Sequence, residues 1–396
     1  MKKFFYKLTA IIIAVIMLIP LCFEVLGEEN APALPQNAFG VAEGSLNLNC
    51  KSAILMEATT GTILYSQNAE EALPPASVTK VMTLLLIMEA IDAGTIRVDD
   101  TVSISANAAS MGGSQVFLEE GEQMKVEDLL KSVVIASAND AAVALAEYVS
   151  GSVDAFVAKM NAKAEELGMS ATKFENVTGL DDTAENHLTS AKDIALMSCA
   201  LVKHPLILQY SSIWMDTIRD GAFGLTNTNR LVRFYKGCMG LKTGSTAKAG
   251  FCVSATAERD GLSLICVIMG AESRDIRNAA ATTLLDWGFA NFALFKAEAG
   301  TSDPIAVKGS SMPEIKGVYP AFSCVVRREE LSKIEKTVTL CPSIVAPTPA
   351  GEAVGQVSFR CGEKEIGSVD ICTESEIKRI GFFEILCHIF AKSLLI

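Results

Sequence analysis

Pro74-Pro75-Ala76-Ser77-Val78-Thr79-Lys80, followed by the apolar run Val81 to Met88, is the stretch around which the chain is organised. The prolines stop any preceding helix, and proline is tolerated at a first helical turn, where a missing N–H costs little. A helix starting at Ser77 and ending near Gly94 would be buried on most of its faces. Ser77 and Lys80 are three residues apart, so on a helix their side chains share one face. A serine hydroxyl is a poor nucleophile until a base takes its proton. A lysine can be that base when burial and nearby positive charge lower its pKa.

Ser-x-x-Lys alone is common on surface helices, and its meaning here depends on company. Val126 to Val149 reads as helix, turn, helix, interrupted by Ala136-Ser137-Ala138-Asn139-Asp140. The interruption can present Ser137 and Asn139 to a cleft, or either can be a helix N-cap. Gly240-Leu241-Lys242-Thr243-Gly244-Ser245-Thr246 precedes the β-prone run Ala249 to Ala257. Arg259-Asp260-Gly261 is a hairpin turn and Leu262 to Met269 the return strand. Lys242 and Thr243 on such a strand suit a carboxylate, and Gly244 would let a substrate backbone lie close. Upstream, Ser52–Met56 and Thr62–Tyr65 flank Ala58-Thr59-Thr60-Gly61 as strand, turn, strand, and Met111-Gly112-Gly113-Ser114 reads as a loop near the site.

Length and composition bound the rest. The 396 residues allow two domains plus ends, and half are hydrophobic, enough for a sizeable core. A net charge of -12 excludes the basic footprint of a nucleic-acid binder. The eleven cysteines form no CxxC pair and no zinc spacing. They read as small buried hydrophobes, with a Cys361–Cys372 disulfide left open. Residues 1–27 carry Lys2, Lys3 and Lys7 before an apolar core, the pattern of an export signal, and 28–44 reads as a linker. From Pro304 the texture turns to short β-prone runs, such as Thr337–Leu340 and Val354–Phe359, between Pro and Gly. Past Lys378 and Arg379, Glu384, His388 and Lys392 recur every four residues in an otherwise apolar tail. That spacing is an amphipathic helix, either an interfacial membrane anchor or a packed C-terminal helix.

With all three motifs in order, the chain resembles the low-molecular-mass penicillin-binding proteins, the serine-type D-alanyl-D-alanine carboxypeptidases. The stretches Asn176–Leu180 and His187–Ala195 and the Lys242-Thr243-Gly244-x-Thr246 form also resemble that family. The resemblance implies an α/β fold of the DD-peptidase/β-lactamase kind: an antiparallel sheet sandwiched by helices, then a small β-rich domain. The expected layout is a signal at 1–27, linker at 28–44, catalytic domain at 45–300, β-rich domain at 301–373 and anchor helix at 374–396. It implies Ser77 as nucleophile, Lys80 as base and Ser137 as proton relay. Asn139, Lys242, Thr243, Gly244 and Ser245 would bind substrate, with the N–H groups of Ser77 and Ser245 as oxyanion hole. Arg277 would add carboxylate attraction or make a structural ion pair. No metal or cofactor is implied. The implied partners are peptidoglycan stem peptides, β-lactam antibiotics as inhibitors and the membrane surface, on the outer face of the cytoplasmic membrane. Two other readings stand beside it. One is a β-lactamase, with Glu175 as the carboxylate to examine; the other is an idle peptidoglycan-binding scaffold.

Overall fold

The structure is a computed structural model and describes residues 46–180 and 184–393. The expected export signal and linker lie outside the described residues. Five antiparallel strands form the central sheet: β1 (Ser52–Glu57), β2 (Ile63–Gln67), β3 (Cys238–Thr246), β4 (Gly250–Arg259) and β5 (Leu262–Ala271), in the order β2-β1-β5-β4-β3. The sheet is buried on both faces, so its strands are near-continuous apolar runs rather than alternations. Ile54 and Met56 of β1 face one core, with Ile265 and Val267 of β5. Ala53 and Leu55 face the other, with Leu264 and Cys266. The turn from β4 to β5 is Asp260-Gly261, both left-handed (φ 52° and 76°), the type I′ geometry that matches strand twist.

The first face is covered by α1 (Lys80–Asp92), α2 (Val126–Ile135), α3 (Asn139–Ser150), α4 (Val153–Glu166) and α5 (Ala191–Leu201). Helix α1 is buried without interruption from Lys80 to Met88, which is why its sequence is apolar all round. The second face is covered by α6 (Arg274–Asn291), through Ala280, Ala281, Leu284 and Leu285. This is the helix–sheet–helix sandwich expected from the resemblance.

The β-rich part begins earlier than residue 301. Strand β6 (Phe292–Ala297) follows α6 directly; β7 (Gly300–Lys308) and β8 (Glu314–Tyr319) come next, and β6 pairs with β9 (Phe322–Arg327). Phe292 and Val325 of this ribbon pack in the α6 core, while Phe295 and Phe322 pack in the second core. A helix running straight into a strand leaves no Pro/Gly signal, so composition does not mark this junction. The second sheet has six strands, in the order β10-β12-β13-β8-β7-β11, with β10 (Ile334–Leu340), β11 (Ile344–Val345), β12 (Ala353–Cys361) and β13 (Lys364–Thr373). Its core centres on Val357, Phe359 and Ile371, with the Phe359 ring stacked on Phe322 at 4.8 Å. Cys361 and Cys372 are both free thiols, and in the β12–β13 ladder they face Lys364 and Ala353 rather than each other. Helix α7 (Phe382–Ser393) ends the described chain.

Candidate active site

Three elements converge at the edge strand β3. The chain enters α1 through a 3-10 turn, Ala76–Thr79, rather than directly as α-helix. Ala76 is held at φ 48°, a left-handed value that costs a non-glycine residue conformational energy and clusters at functional sites. Between α2 and α3, Ser137 takes φ 65° and turns the chain. The cap of α3 is Ala138, with no side-chain bond, so neither Ser137 nor Asn139 serves as the N-cap that local sequence allowed. Both side chains are free for the site.

Lys80 is fully buried. Its Nζ lies 2.9 Å from Ser77 Oγ and donates to Asn139 Oδ1 at 2.6 Å and to the Thr178 carbonyl at 2.9 Å; as a neutral amine it has two N–H groups for these two acceptors and a lone pair for the Ser77 hydroxyl. None of these acceptors is a carboxylate. Burial, and then the charge of Lys242, push its amine well below the ordinary lysine value, against the opposing pull of Asp140. Lys242 is also buried, donating to Ser137 Oγ at 2.9 Å and to the Thr243 carbonyl at 2.8 Å. Burial first, and Arg277 second, bring it down to about 7. The result is two coupled pairs, Lys80–Ser77 and Lys242–Ser137, each a hydroxyl backed by a desolvated amine.

Asn139 is fixed from both ends. Its Nδ2 donates to the Gly112 carbonyl at 2.7 Å and its backbone N–H to the Ser114 carbonyl at 2.7 Å. Asp140 holds the same loop, accepting from the N–H groups of Val116 and Leu118. Gly244 also makes room within the protein itself. A Cβ there would lie 2.7 Å from the Ser77 amide nitrogen and 2.9 Å from the Pro75 carbonyl. The backbone that needs the space is the protein's own turn around Ser77.

Above this buried layer opens a cleft of about 390 Å³, lined by Ser77, Ser114, Ser137, Trp214, Thr243, Gly244, Ser245 and others. Thr243 turns its hydroxyl towards Thr228 Oγ1, at 2.9 Å. Lys80, Asn139 and Lys242 lie beneath the lining rather than in it. The cationic wall is formed by Arg230, Arg274 and Arg277. Among the described residues Arg277 makes no ion pair: its guanidinium donates to Asn278 Oδ1 and to the Cys252 carbonyl. Sequence reasoning missed Arg230, Arg274 and Trp214. Arg230 ends a run, Thr226-Asn227-Thr228-Asn229, that reads only as turn chemistry, and nothing local ties it to β3. Glu175 does not line the cleft; it accepts from the Asn186 N–H and pairs with Lys173.

Residues 39–273 match the family model described as D-alanyl-D-alanine carboxypeptidase, and residues 317–379 match that of the penicillin-binding protein 5 C-terminal domain. The chain is 39% identical to the D-alanyl-D-alanine carboxypeptidase DacF of Bacillus subtilis, over 90% of this chain and 93% of that one. It is 33% identical to DacC of Escherichia coli, over 85% and 86%. Penicillin binding protein 5 from Haemophilus influenzae superposes with a TM-score of 0.74 at 29% identity, covering 84% of this chain and 99% of that one. Penicillin-Binding Protein D2 from Listeria monocytogenes, solved in an ampicillin-bound form, superposes at 0.57 with 33% identity, over 62% and 98%.

Proposed function

The chain belongs to the D-alanyl-D-alanine carboxypeptidase family, and from that premise we propose how its own residues perform the reaction. It is a serine-type D-Ala-D-Ala carboxypeptidase, acting on peptidoglycan peptides. The proposed path runs through an acyl-enzyme on Ser77. The observation that carries it is the 2.9 Å contact between Ser77 Oγ and a buried Lys80 amine with no carboxylate among its hydrogen-bond partners. Such an amine is held towards its neutral form and can take the hydroxyl proton as Oγ attacks the carbonyl between the two D-alanines. The developing oxyanion is received by the N–H groups of Ser77 and Ser245. Collapse breaks the C–N bond, and the departing amine of D-alanine takes its proton through Ser137 from Lys242. The proton accepted by Lys80 is returned to Lys242 through Ser137, which leaves Lys80 neutral again; water then attacks the ester, Lys80 takes its proton, and the Ser77 oxygen receives that proton as the acyl C–O bond breaks. The terminal carboxylate is held by Thr243 and the arginine wall. A β-lactam presents the same carbonyl and carboxylate, so it acylates Ser77 and blocks the site.

Intact-mass labelling with penicillin tests this reading. The expected result is a long-lived adduct on the native protein, absent from Ser77→Ala. An unlabelled native protein with intact penicillin would sink it in favour of an idle scaffold; rapid destruction of penicillin would favour a β-lactamase.

The location of the enzyme belongs to the same proposal: export through residues 1–27, and attachment by α7 to the outer face of the cytoplasmic membrane. Support comes from the exposed apolar residues Phe382, Phe383, Ile389 and Phe390, with exposed Lys378 and Arg379 just before the helix. Among the described residues no single helix is long and apolar enough to cross a membrane. Removing 382–396 should move the protein from the membrane to the soluble fraction with acylation retained. The truncation spares Ile377, which is buried and bridged to Thr348. Unchanged partitioning refutes the anchor.

A further inference from the structure

His187 is buried, lies outside the three motifs and is linked to the nucleophile turn by a directed chain of hydrogen bonds. The Glu175 N–H donates to His187 Nδ1 at 3.0 Å, so Nδ1 is the acceptor and Nε2 carries the proton. Nε2 then donates to Thr79 Oγ1, 2.7 Å away. With that lone pair used, the Thr79 hydroxyl donates to the Ala76 carbonyl at 2.8 Å. The Phe174 ring, edge-on at 5.7 Å, holds the imidazole plane. Burial pushes His187 down to about 4, so the neutral tautomer that this chain requires is the one present.

The Ala76 carbonyl and the Ser77 N–H belong to one peptide group. A trans peptide is planar, so its C=O and N–H point in opposite directions. Fixing the carbonyl inward therefore fixes the Ser77 N–H outward. The left-handed φ of Ala76 means that this orientation is not one the turn would keep unaided. Gly179 completes the seat: a Cβ on it would lie 1.8 Å from the Ala76 oxygen. The same segment hands its Thr178 carbonyl to Lys80.

We propose that His187, acting through Thr79, is a positioning residue that aims the Ser77 N–H as an oxyanion donor. The inference rests on Ser77 being the acylated nucleophile. Its test is the saturation kinetics of penicillin acylation in Thr79→Val and Thr79→Ser, which differ in the hydroxyl that links the chain. Thr79→Val should lower the first-order acylation rate by about tenfold or more while the apparent dissociation constant stays within about twofold. Thr79→Ser should restore the rate. A loss of fold would change both constants together, whereas a misdirected donor weakens only the transition state. Should Thr79→Val not fold, His187→Gln, which keeps an N–H near Nε2, is read against His187→Leu in the same assay. Acylation of Thr79→Val at the native rate, a loss confined to the dissociation constant, or a serine variant no better than valine overturns the inference. A native protein that is not labelled at Ser77 overturns the reading beneath it instead.

Discussion

The two halves of this enzyme bury different things. Around the site, the catalytic half buries Lys80, Lys242, Arg277, Asp140, Asn139 and His187. Around Phe359 the second domain buries Ile305, Val357, Ile371 and Ile377, and among the described residues its buried polar side chains are Ser302, Thr348 and Thr373. Desolvating an amine without a carboxylate partner costs free energy, and a chain under selection for stability alone would avoid it. In the catalytic half that cost accords with the proposed role of Lys80 as a neutral base. In the second domain an aromatic and aliphatic cluster holds the fold together. Buried polarity therefore marks where the reaction happens, and substitutions of similar size should have opposite consequences in the two regions.

The largest expected effect is at Lys80. Lys80→Met keeps the length of the side chain and removes the base, and should slow penicillin acylation by about 10³-fold, within the range for loss of general-base catalysis. A rate within about tenfold of native would mean that another group takes the Ser77 proton. In the second domain, Phe359→Ala removes the ring stacked on Phe322 and edge-on to Phe295. It should cost about 3–5 kcal/mol in urea unfolding followed by far-UV circular dichroism, with acylation unchanged. If acylation falls with it, the second domain supports the site and the contrast between the halves fails.

The contrast also explains what could be read from the sequence. Ser77, Lys80, Ser137, Asn139 and Lys242 were legible because each sits in a short motif whose local structure, helix start, interhelix turn or strand, follows from adjacent residues. The sandwich was legible because its strands and helices carry clear apolar runs. The groups that hold these residues in place were not. The third acceptor of Lys80 is the backbone carbonyl of Thr178, and a carbonyl has no side-chain identity to read. Arg230 and Arg274 reach the cleft from opposite sides of β3 in sequence, and only the fold joins them. Thr79 and His187 are 108 residues apart, so their link rests on one long-range hydrogen bond that no local pattern shows. Gly244 was identified as a close approach, but which backbone approaches is decided by tertiary packing.

A smaller effect sharpens the same comparison through pH. His187 is depressed from 6.5 to about 4 by burial, with Glu175 pulling the other way. Between those values the unfolded chain binds a proton that the folded one refuses, so stability rises with pH across the window. The contribution is complete above 6.5 and is lost progressively as pH falls towards 4, by up to about 3 kcal/mol at 1.36 kcal/mol per pKa unit. The three histidines are His187, His204 and His388, none of them between Phe292 and Ile377. The catalytic half should therefore loosen first in mild acid. Hydrogen exchange measured between pH 6.5 and 4.5 should show amides of α1 and of residues 174–180 losing protection while those of β12 and β13 keep theirs. His187→Gln should flatten the first trend and leave the second alone. Equal loss in both halves, or an unchanged slope in the variant, would mean that carboxylates common to the whole chain, rather than the buried imidazole, set its acid sensitivity.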